Sequence, residues 1–237
     1  QKREAMHKLE PKRLFEHGYG RLEQLMAERR EPPEIKSDED IHVLLAPSWG
    51  DETILNLCGV ELTGLLLDAG FQLTLRPHFL SRWKTPEVLD ATVARYGEHP
   101  KFVLVEQMGE SDSLFDSHVM ITDWSGAGMD YGMGLEKPVL YIDVPPKARN
   151  DWWPEMGIES FESFVRDKIG SIVAPDNLAT VPDEIKALLK DPAAFRSSVQ
   201  QLRNEWVFNL GDSSAAGARA IAELARQTDS RPATQHG

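Results

Sequence analysis

The chain has 237 residues, with 26 lysines and arginines against 38 aspartates and glutamates, so its formal net charge is −12. This length accommodates one α/β domain with appendages or two small domains. The single cysteine, Cys58, excludes a disulfide-stabilised scaffold and favours a reducing, cytoplasmic compartment. The acidic balance argues against a nucleic-acid partner, and no apolar run is long enough to span a bilayer.

A charged segment with two adjacent prolines separates the beginning of the chain from the rest. Residues 29–34 read Arg-Arg-Glu-Pro-Pro-Glu and break any helix there, so residues 31–40 are expected to connect two units. Because the chain begins with glutamine, we expect residues 1–35 to be a connection from a missing amino-terminal domain. The predicted division continues with an α/β domain over 36–226 and a disordered tail over 227–237.

Beyond this connection, short apolar runs alternate with segments whose apolar residues recur at helical spacing. The predicted strands cover residues 41–46, 71–75, 102–105, 118–122, 138–142 and 172–173. The predicted helices cover residues 51–69, 86–97, 125–135, 183–190, 192–208 and 213–226. Strands that alternate with helices in this way imply right-handed βαβ units. The predicted fold class is therefore α/β, a doubly wound and mostly parallel sheet with a helical tail.

In an open parallel sheet, ligands bind beyond the carboxyl ends of the strands. The residues that follow the predicted strands are therefore the first candidates for a site. They are residues 48–51, 76–78, 106–108, 123–126 and 143–146.

The segment after the fourth strand, residues 122–132, joins an apolar run to a glycine-rich helix start. Ser125 is a candidate N-cap, and Gly126 and Gly128 would let a phosphate approach free backbone N–H groups. The alternative is that Ser125 only caps the helix and that the glycines relieve packing.

Two aspartates flank this helix start, Asp123 and Asp130. If Asp123 lies at the helix entrance, both face one crevice, with one carboxylate near a phosphate and the other near a ribose hydroxyl. A solvated carboxylate on the helix face is the alternative. No pair of histidines has metal-ligand spacing and one cysteine cannot form a zinc cluster, so we predict neither a metal nor a cofactor.

Arg76 and His78 follow the second strand, with Pro77 between them. Residues two apart in an extended segment point the same way, so the two side chains are expected to project together. A guanidinium beside an imidazole suits an anionic diphosphate, and His78 is placed to donate a proton to a departing phosphate oxygen. The alternative is an arginine that caps the loop beside an uninvolved histidine.

Two weaker features lie elsewhere in the chain. Residues 152–154, Trp-Trp-Pro, would form a lip over a base or an acceptor, or else pack beneath the tail helices. The lysines and arginines of residues 2–13 would give peripheral contact with anionic lipid.

Five short segments carry a family pattern in their order and spacing. They are residues 46–51 (APSWGD), 76–78 (RPH), 120–125 (MITDWS), 130–131 (DY) and 137–139 (KPV). Together they resemble the carboxyl-terminal half of the CDP-glycerol glycerophosphotransferases, whose strings read approximately APTWRD, RPH, ITDYSS, DY and KP. Residues 18–23 are similar to the segment that links the two halves of those enzymes.

The resemblance implies the donor-binding half of a two-domain GT-B enzyme of teichoic-acid-type synthesis. An acceptor hydroxyl, lipid-linked or on a polymer, would attack the glycerol-bearing phosphorus of CDP-glycerol, and CMP would leave without a metal ion. By the same resemblance His78 is catalytic, and the donor-binding residues are Ser48, Arg76, His78, Asp123, Ser125, Gly126 and Asp130. The expected place of action is the cytoplasm, at the inner face of the plasma membrane, in cell-envelope polymer synthesis.

The chain departs from the family pattern at three positions. Gly50 stands in place of an arginine, Gly126 in place of the second serine, and Gly20 in place of a proline. Two other functions therefore stay open. One is a GT-B glycosyltransferase that uses a nucleotide sugar, and the other is a nucleotide-binding module without catalysis.

Overall fold

The computed structural model describes residues 2–106, 112–147 and 153–229. These residues contain a six-stranded sheet in which every pair of neighbours runs parallel, in the order β3-β2-β1-β4-β5-β6. The strands are β1 (His42–Leu45), β2 (Gln72–Leu75), β3 (Phe102–Leu104), β4 (Val119–Thr122), β5 (Val139–Ile142) and β6 (Gly170–Val173). The sheet, with helices on both faces, confirms the predicted α/β doubly wound fold.

The helices of the described residues include all six that the sequence predicts. They are α1 (Lys2–Met6), α2 (Gly20–Glu28), α3 (Ile54–Asp68), α4 (Ser81–Lys84), α5 (Pro86–Tyr96), α6 (Asp112–Asp116), α7 (Gly126–Met129), α8 (Phe161–Val165), α9 (Val181–Leu188), α10 (Pro192–Trp206) and α11 (Ser213–Asp229). The extra helices α1, α2, α4, α6 and α8 have nine residues or fewer, which is too short for a clear apolar period.

Shorter helical segments complete the chain. Three of them are 3₁₀ helices, Asp38–Asp40, Trp153–Met156 and Pro175–Thr180, and one is a π-helical turn, Asp130–Gly134. The predicted helix over 125–135 is therefore one turn of α-helix followed by a π turn. The predicted tail begins inside a helix, because α11 continues to Asp229, and residues 230–237 lie outside the described residues.

The sheet separates two apolar cores with the two-residue alternation of extended strands. On one side lie Val43 and Leu45 of β1, together with the corresponding residues of β4 and β5, packed against α3 and α9. Leu44 and Met120 point to the other side, where α2, the π turn and α10 cover the sheet. All four residues of β4 and of β5 are buried, as expected for central parallel strands.

The beginning of the chain packs on this same domain. Leu22 and Leu25 of α2 are buried in the second core, against the π turn. The Glu23 carboxylate accepts hydrogen bonds from the backbone N–H groups of Gly211 and Ser213, at 2.7 and 3.1 Å, before and at the start of α11. Helix α2 is therefore part of the packed structure on which the candidate site is built.

Across the described ranges, no helix combines the length and the apolar character that crossing a bilayer requires.

Candidate functional site

The strand order places the candidate site between the loops after β1 and β4. These two strands are neighbours, and the chain continues from them toward opposite edges of the sheet, which makes their carboxyl ends a topological switch point. A cavity of about 190 Å³, here called the switch-point cavity, is lined by Arg76, His78, Ser125 and Asp130. Four of the residues predicted from the sequence are thus brought together at one place.

Ser125 begins the short helix α7 and caps it, as predicted. Its Oγ accepts a hydrogen bond from the backbone N–H of Ala127 at 3.3 Å, and its own backbone is extended. A Cβ placed on Gly126 would meet nothing within 4 Å, so the space in front of this turn is open. A Cβ on Gly128 would lie 2.6 Å from the Tyr141 hydroxyl, so Gly128 is a packing glycine.

Asp123 lies beneath the site and not in the wall of its cavity. The side chain is 0% exposed, and its two carboxylate oxygens accept hydrogen bonds from the backbone N–H groups of Ser48 and Ile54 at 2.9 and 3.0 Å. These bonds join the loop after β4 to the loop after β1 and to the start of α3. The geometry makes Asp123 a residue that shapes the site, whereas the sequence predicted a contact with the donor.

The two ring nitrogens of His78 have different roles, because a backbone hydrogen bond occupies Nδ1. Its Nδ1 accepts a hydrogen bond from the backbone N–H of Leu80 at 3.2 Å, which assigns the ring proton of the neutral imidazole to Nε2. The ring stacks on Phe79, with centroids 4.6 Å apart. Burial, and secondly the positive charge of Lys147, lower the pKa of His78, so the neutral ring that donates from Nε2 is favoured.

Asp130 is held by two side chains from the beginning of the chain. Its carboxylate accepts hydrogen bonds from the Tyr19 hydroxyl at 2.7 Å and from Arg21 Nε at 2.6 Å. Burial, followed by the bond to Asp130, raises the pKa of Tyr19 to about 12, so the phenol stays protonated and donates. Arg21 also lines the switch-point cavity, and no local pattern in residues 18–23 indicates this placement.

The remaining residues of the family pattern support the loop before β4. The Tyr131 hydroxyl donates to the carbonyl of Ser117 at 3.1 Å. The Lys137 ammonium donates to three carbonyls, those of Leu114 (3.2 Å), Phe115 and Ser117 (2.8 Å). Both side chains are buried, so these two positions of the pattern stabilise the fold, and Tyr131 also lines the switch-point cavity.

Ser48 and Gly50 border a second cavity, of about 430 Å³, that lies between the loops after β1 and β5. We call it the β1–β5 cavity; Trp49, Trp124 and Lys147 also line it. Sequence reasoning missed Lys147 because nothing in the local pattern around residues 144–147 indicates that this loop approaches residue 50.

Some of the residues singled out in the sequence lie outside the described ranges. Residues 107–108 and Trp152 lie outside the described residues, while Trp153 is a half-exposed residue of a 3₁₀ helix.

Within the part of the chain that the structure describes, no three histidine, cysteine, aspartate or glutamate side chains are grouped as metal ligands.

Comparison with known proteins gives matches among solved structures alone: no protein-family model and no curated protein matches this chain. A putative UDP-N-acetylglucosamine 2-epimerase from Listeria monocytogenes is 17% identical with a TM-score of 0.53, over 96% of this chain and 57% of that one. The S. aureus MnaA structure with UDP is 17% identical with a TM-score of 0.52, over 91% and 56%. The calicheamicin glycosyltransferase CalG4 is 17% identical with a TM-score of 0.50, over 86% and 46%.

The fold is the Rossmann-like α/β fold of GT-B proteins. At these identities the likeness concerns the fold alone. This chain spans about half the length of the solved structures that it matches. The fold expected from the resemblance is therefore confirmed, and the CDP-glycerol family stays a prediction.

Proposed function

We propose that this chain is the donor-binding part of a transferase that uses a nucleoside-diphosphate-activated donor. The observation that carries the proposal is the switch-point cavity, where Arg76, His78 and Ser125 meet at the carboxyl edge of the sheet. Cationic and N–H donors at such an edge are suited to a diphosphate. The open space before Gly126 gives a phosphate oxygen room to approach the backbone of that residue.

The reaction proposed is transfer of glycerol phosphate from CDP-glycerol to an acceptor hydroxyl. The acceptor oxygen forms a bond to the glycerol-bearing phosphorus, and the bond from that phosphorus to the bridging oxygen breaks. CMP leaves with the electron pair of the broken bond. The acceptor proton goes to a base that we place in the amino-terminal domain expected from the family resemblance. Arg76 and the Nε2–H of His78 stabilise the negative charge that develops on the CMP oxygen.

CDP-glycerol is preferred as the donor because the segments around residues 46–51, 76–78 and 120–125 share the pattern of that family. A nucleotide sugar is the second candidate. The departures at Gly50 and Gly126 leave the identity of the donor open, and the matched MnaA structure is one that contains UDP. The acceptor proposed is a lipid-linked molecule or a polymer at the inner face of the plasma membrane.

Calorimetric titration of this chain tests the proposal. The ligands are CDP-glycerol, CMP, UDP-glucose and UDP-GlcNAc, and Arg76→Met is the variant expected to lose affinity because one charge-assisted contact is removed. CDP-glycerol as the tightest ligand supports glycerol phosphate transfer, whereas tighter binding of a UDP-sugar moves the function to glycosyl transfer. No heat from any of the four ligands contradicts donor binding by this chain.

We also propose that the basic segment of residues 2–13 contacts the membrane surface. An ion pair within the protein already neutralises part of the positive charge of this segment. Arg13 forms an ion pair with Glu223 at 2.7 Å. Co-sedimentation with vesicles that contain an anionic lipid tests it, and vesicles of a zwitterionic lipid are the control. Equal binding to both kinds of vesicle, or to neither, would contradict an electrostatic contact.

A further inference from the structure

The loop after β1 carries a glycine at the position where the family pattern has an arginine. Gly50 has a φ of +126°, a backbone conformation that side chains rarely adopt, so the fold itself disfavours a cation at this position. A Cβ placed on Gly50 would lie 3.9 Å from Cε and 4.0 Å from Nζ of Lys147. The ammonium of Lys147 thus stands beside the position from which the arginine is missing.

Trp49 fixes the position of that ammonium. The Lys147 Nζ lies 4.1 Å from the centroid of the Trp49 ring, and it also donates a hydrogen bond to the Trp49 carbonyl. The two contacts combine a cation–π attraction with a charge-assisted hydrogen bond. They attach the loop after β5 to the loop after β1, although the two residues are 98 positions apart in the chain.

Trp49 also connects Lys147 to the switch-point cavity. The ring centroids of Trp49 and His78 are 6.0 Å apart, so the tryptophan lies between the two cavities. The positive charge of Lys147 is the second cause, after burial, of the lowered pKa of His78, so the ammonium and the imidazole interact electrostatically. Carboxylates near Lys147 include those of Asp51 and Glu52, which line the same cavity, and that of Glu162, whose pKa burial raises and the charge of Lys147 acts to lower.

We propose that Lys147 is the cation that replaces the missing arginine, and that it binds the same phosphate as His78. The ligand is one phosphate of a nucleoside diphosphate, and Trp49 is the residue that positions the ammonium. The inference rests on the proposed donor-binding function and adds a residue and a direction to it. The phosphate extends from the switch-point cavity, past Trp49, toward the β1–β5 cavity.

Two variants of Lys147 and one matched control test the inference by titration with CDP and with CMP. Lys147→Met keeps most of the aliphatic stem and removes the charge, and it is expected to weaken CDP binding by about tenfold or more. CMP, with one phosphate fewer, is expected to lose less. Lys147→Arg restores most of the affinity, and Lys168→Met, which removes a lysine paired with Asp167, leaves it unchanged.

A second measurement needs no ligand. Titration of the His78 ring followed by NMR is expected to give a higher pKa in Lys147→Met than in the unaltered chain, because a neighbouring positive charge has been removed. An unchanged His78 pKa would place Lys147 too far from the imidazole to share a diphosphate with it, and would overturn the inference.

The outcomes separate this inference from the proposed function. If the unaltered chain binds neither CDP nor CMP, the donor-binding function fails and the role of Lys147 fails with it. If the unaltered chain binds CDP and Lys147→Met binds it equally well, the function stands and the inference about Lys147 is wrong. An equal loss in Lys168→Met would show a general charge effect and would also overturn the inference.

Discussion

Replacing Asp123 by asparagine is expected to lower the free energy of unfolding, and not to act through a direct contact with the ligand. The carboxylate is fully buried and accepts two backbone hydrogen bonds, from Ser48 and from Ile54. Asparagine keeps one acceptor oxygen, but its amide group then faces the second backbone N–H, so two donors meet. Hydrogen bonds to a charged group contribute about 1.5–3 kcal/mol each, and the loss expected in the free energy of unfolding is about 3 kcal/mol.

Urea unfolding followed by tryptophan fluorescence measures this effect. With an m-value of about 2–3 kcal/mol/M, a loss of about 3 kcal/mol lowers the urea midpoint by about 1 M or slightly more. The matched control is Asp68→Asn, at the exposed end of α3, which is expected to stay within about 0.5 kcal/mol of the unaltered chain.

One result would refute the reasoning about Asp123. If Asp123→Asn unfolds at the same urea concentration as the unaltered chain and instead loses nucleotide affinity, the carboxylate is a ligand contact. The role first predicted from the sequence would then be correct, and the two buried hydrogen bonds would contribute little to stability.

Three further perturbations test other parts of the structure. His78→Ala is expected to abolish transfer in an enzyme with both domains while the urea midpoint stays within about 0.3 M, since the ring is only partly buried; normal turnover would remove its catalytic role. Lys137→Met leaves three carbonyls without their donor and is expected to cost about 3 kcal/mol in urea unfolding, and an unchanged midpoint would contradict this. Burial lowers the pKa of both His42 and His118, so the unfolded chain binds more protons and stability falls as the pH drops below about 6.5. Unfolding at pH 7.5 and 5.5 measures this fall, which His118→Gln should reduce.

The pH effect has a geometric cause at the amino-terminal edge of the sheet. His118 Nδ1 accepts a hydrogen bond from the backbone N–H of His42 at 2.8 Å, while Nε2 faces the carbonyl of Pro33 at 2.7 Å. Protonation of Nδ1 would place two donors against each other. A stability that does not change between the two pH values would show that this arrangement opens without cost.

The sheet and part of the site were accessible to sequence reasoning because they depend on local patterns. Apolar runs and helical spacing predicted the parallel α/β fold, and the structure confirms it with six strands. Ser125 was predicted as a cap because a serine before small residues at the end of a strand has that property in any context. Arg76 and His78 were expected at the same edge because the carboxyl ends of parallel strands share it.

The surroundings of the two aspartates were decided by the tertiary structure. Asp123 and Asp130 are both polar residues near a helix start, and nothing in the local sequence distinguishes them. The first turns inward, because backbone N–H groups of two distant residues converge on it. The second meets Arg21, which is 109 positions away in the chain.

What the sequence by itself determined about this protein is its six strands, the helices with a clear apolar period, its fold class and the edge of the sheet where a ligand would bind. The tertiary structure alone decided which side chains line the switch-point cavity, which support it from below, and which cation stands beside Gly50. The physical reason is the range of the interactions. Hydrophobic periodicity and capping act over a few residues, whereas the contacts of Lys147 with Trp49 depend on the order in which β1, β4 and β5 lie side by side.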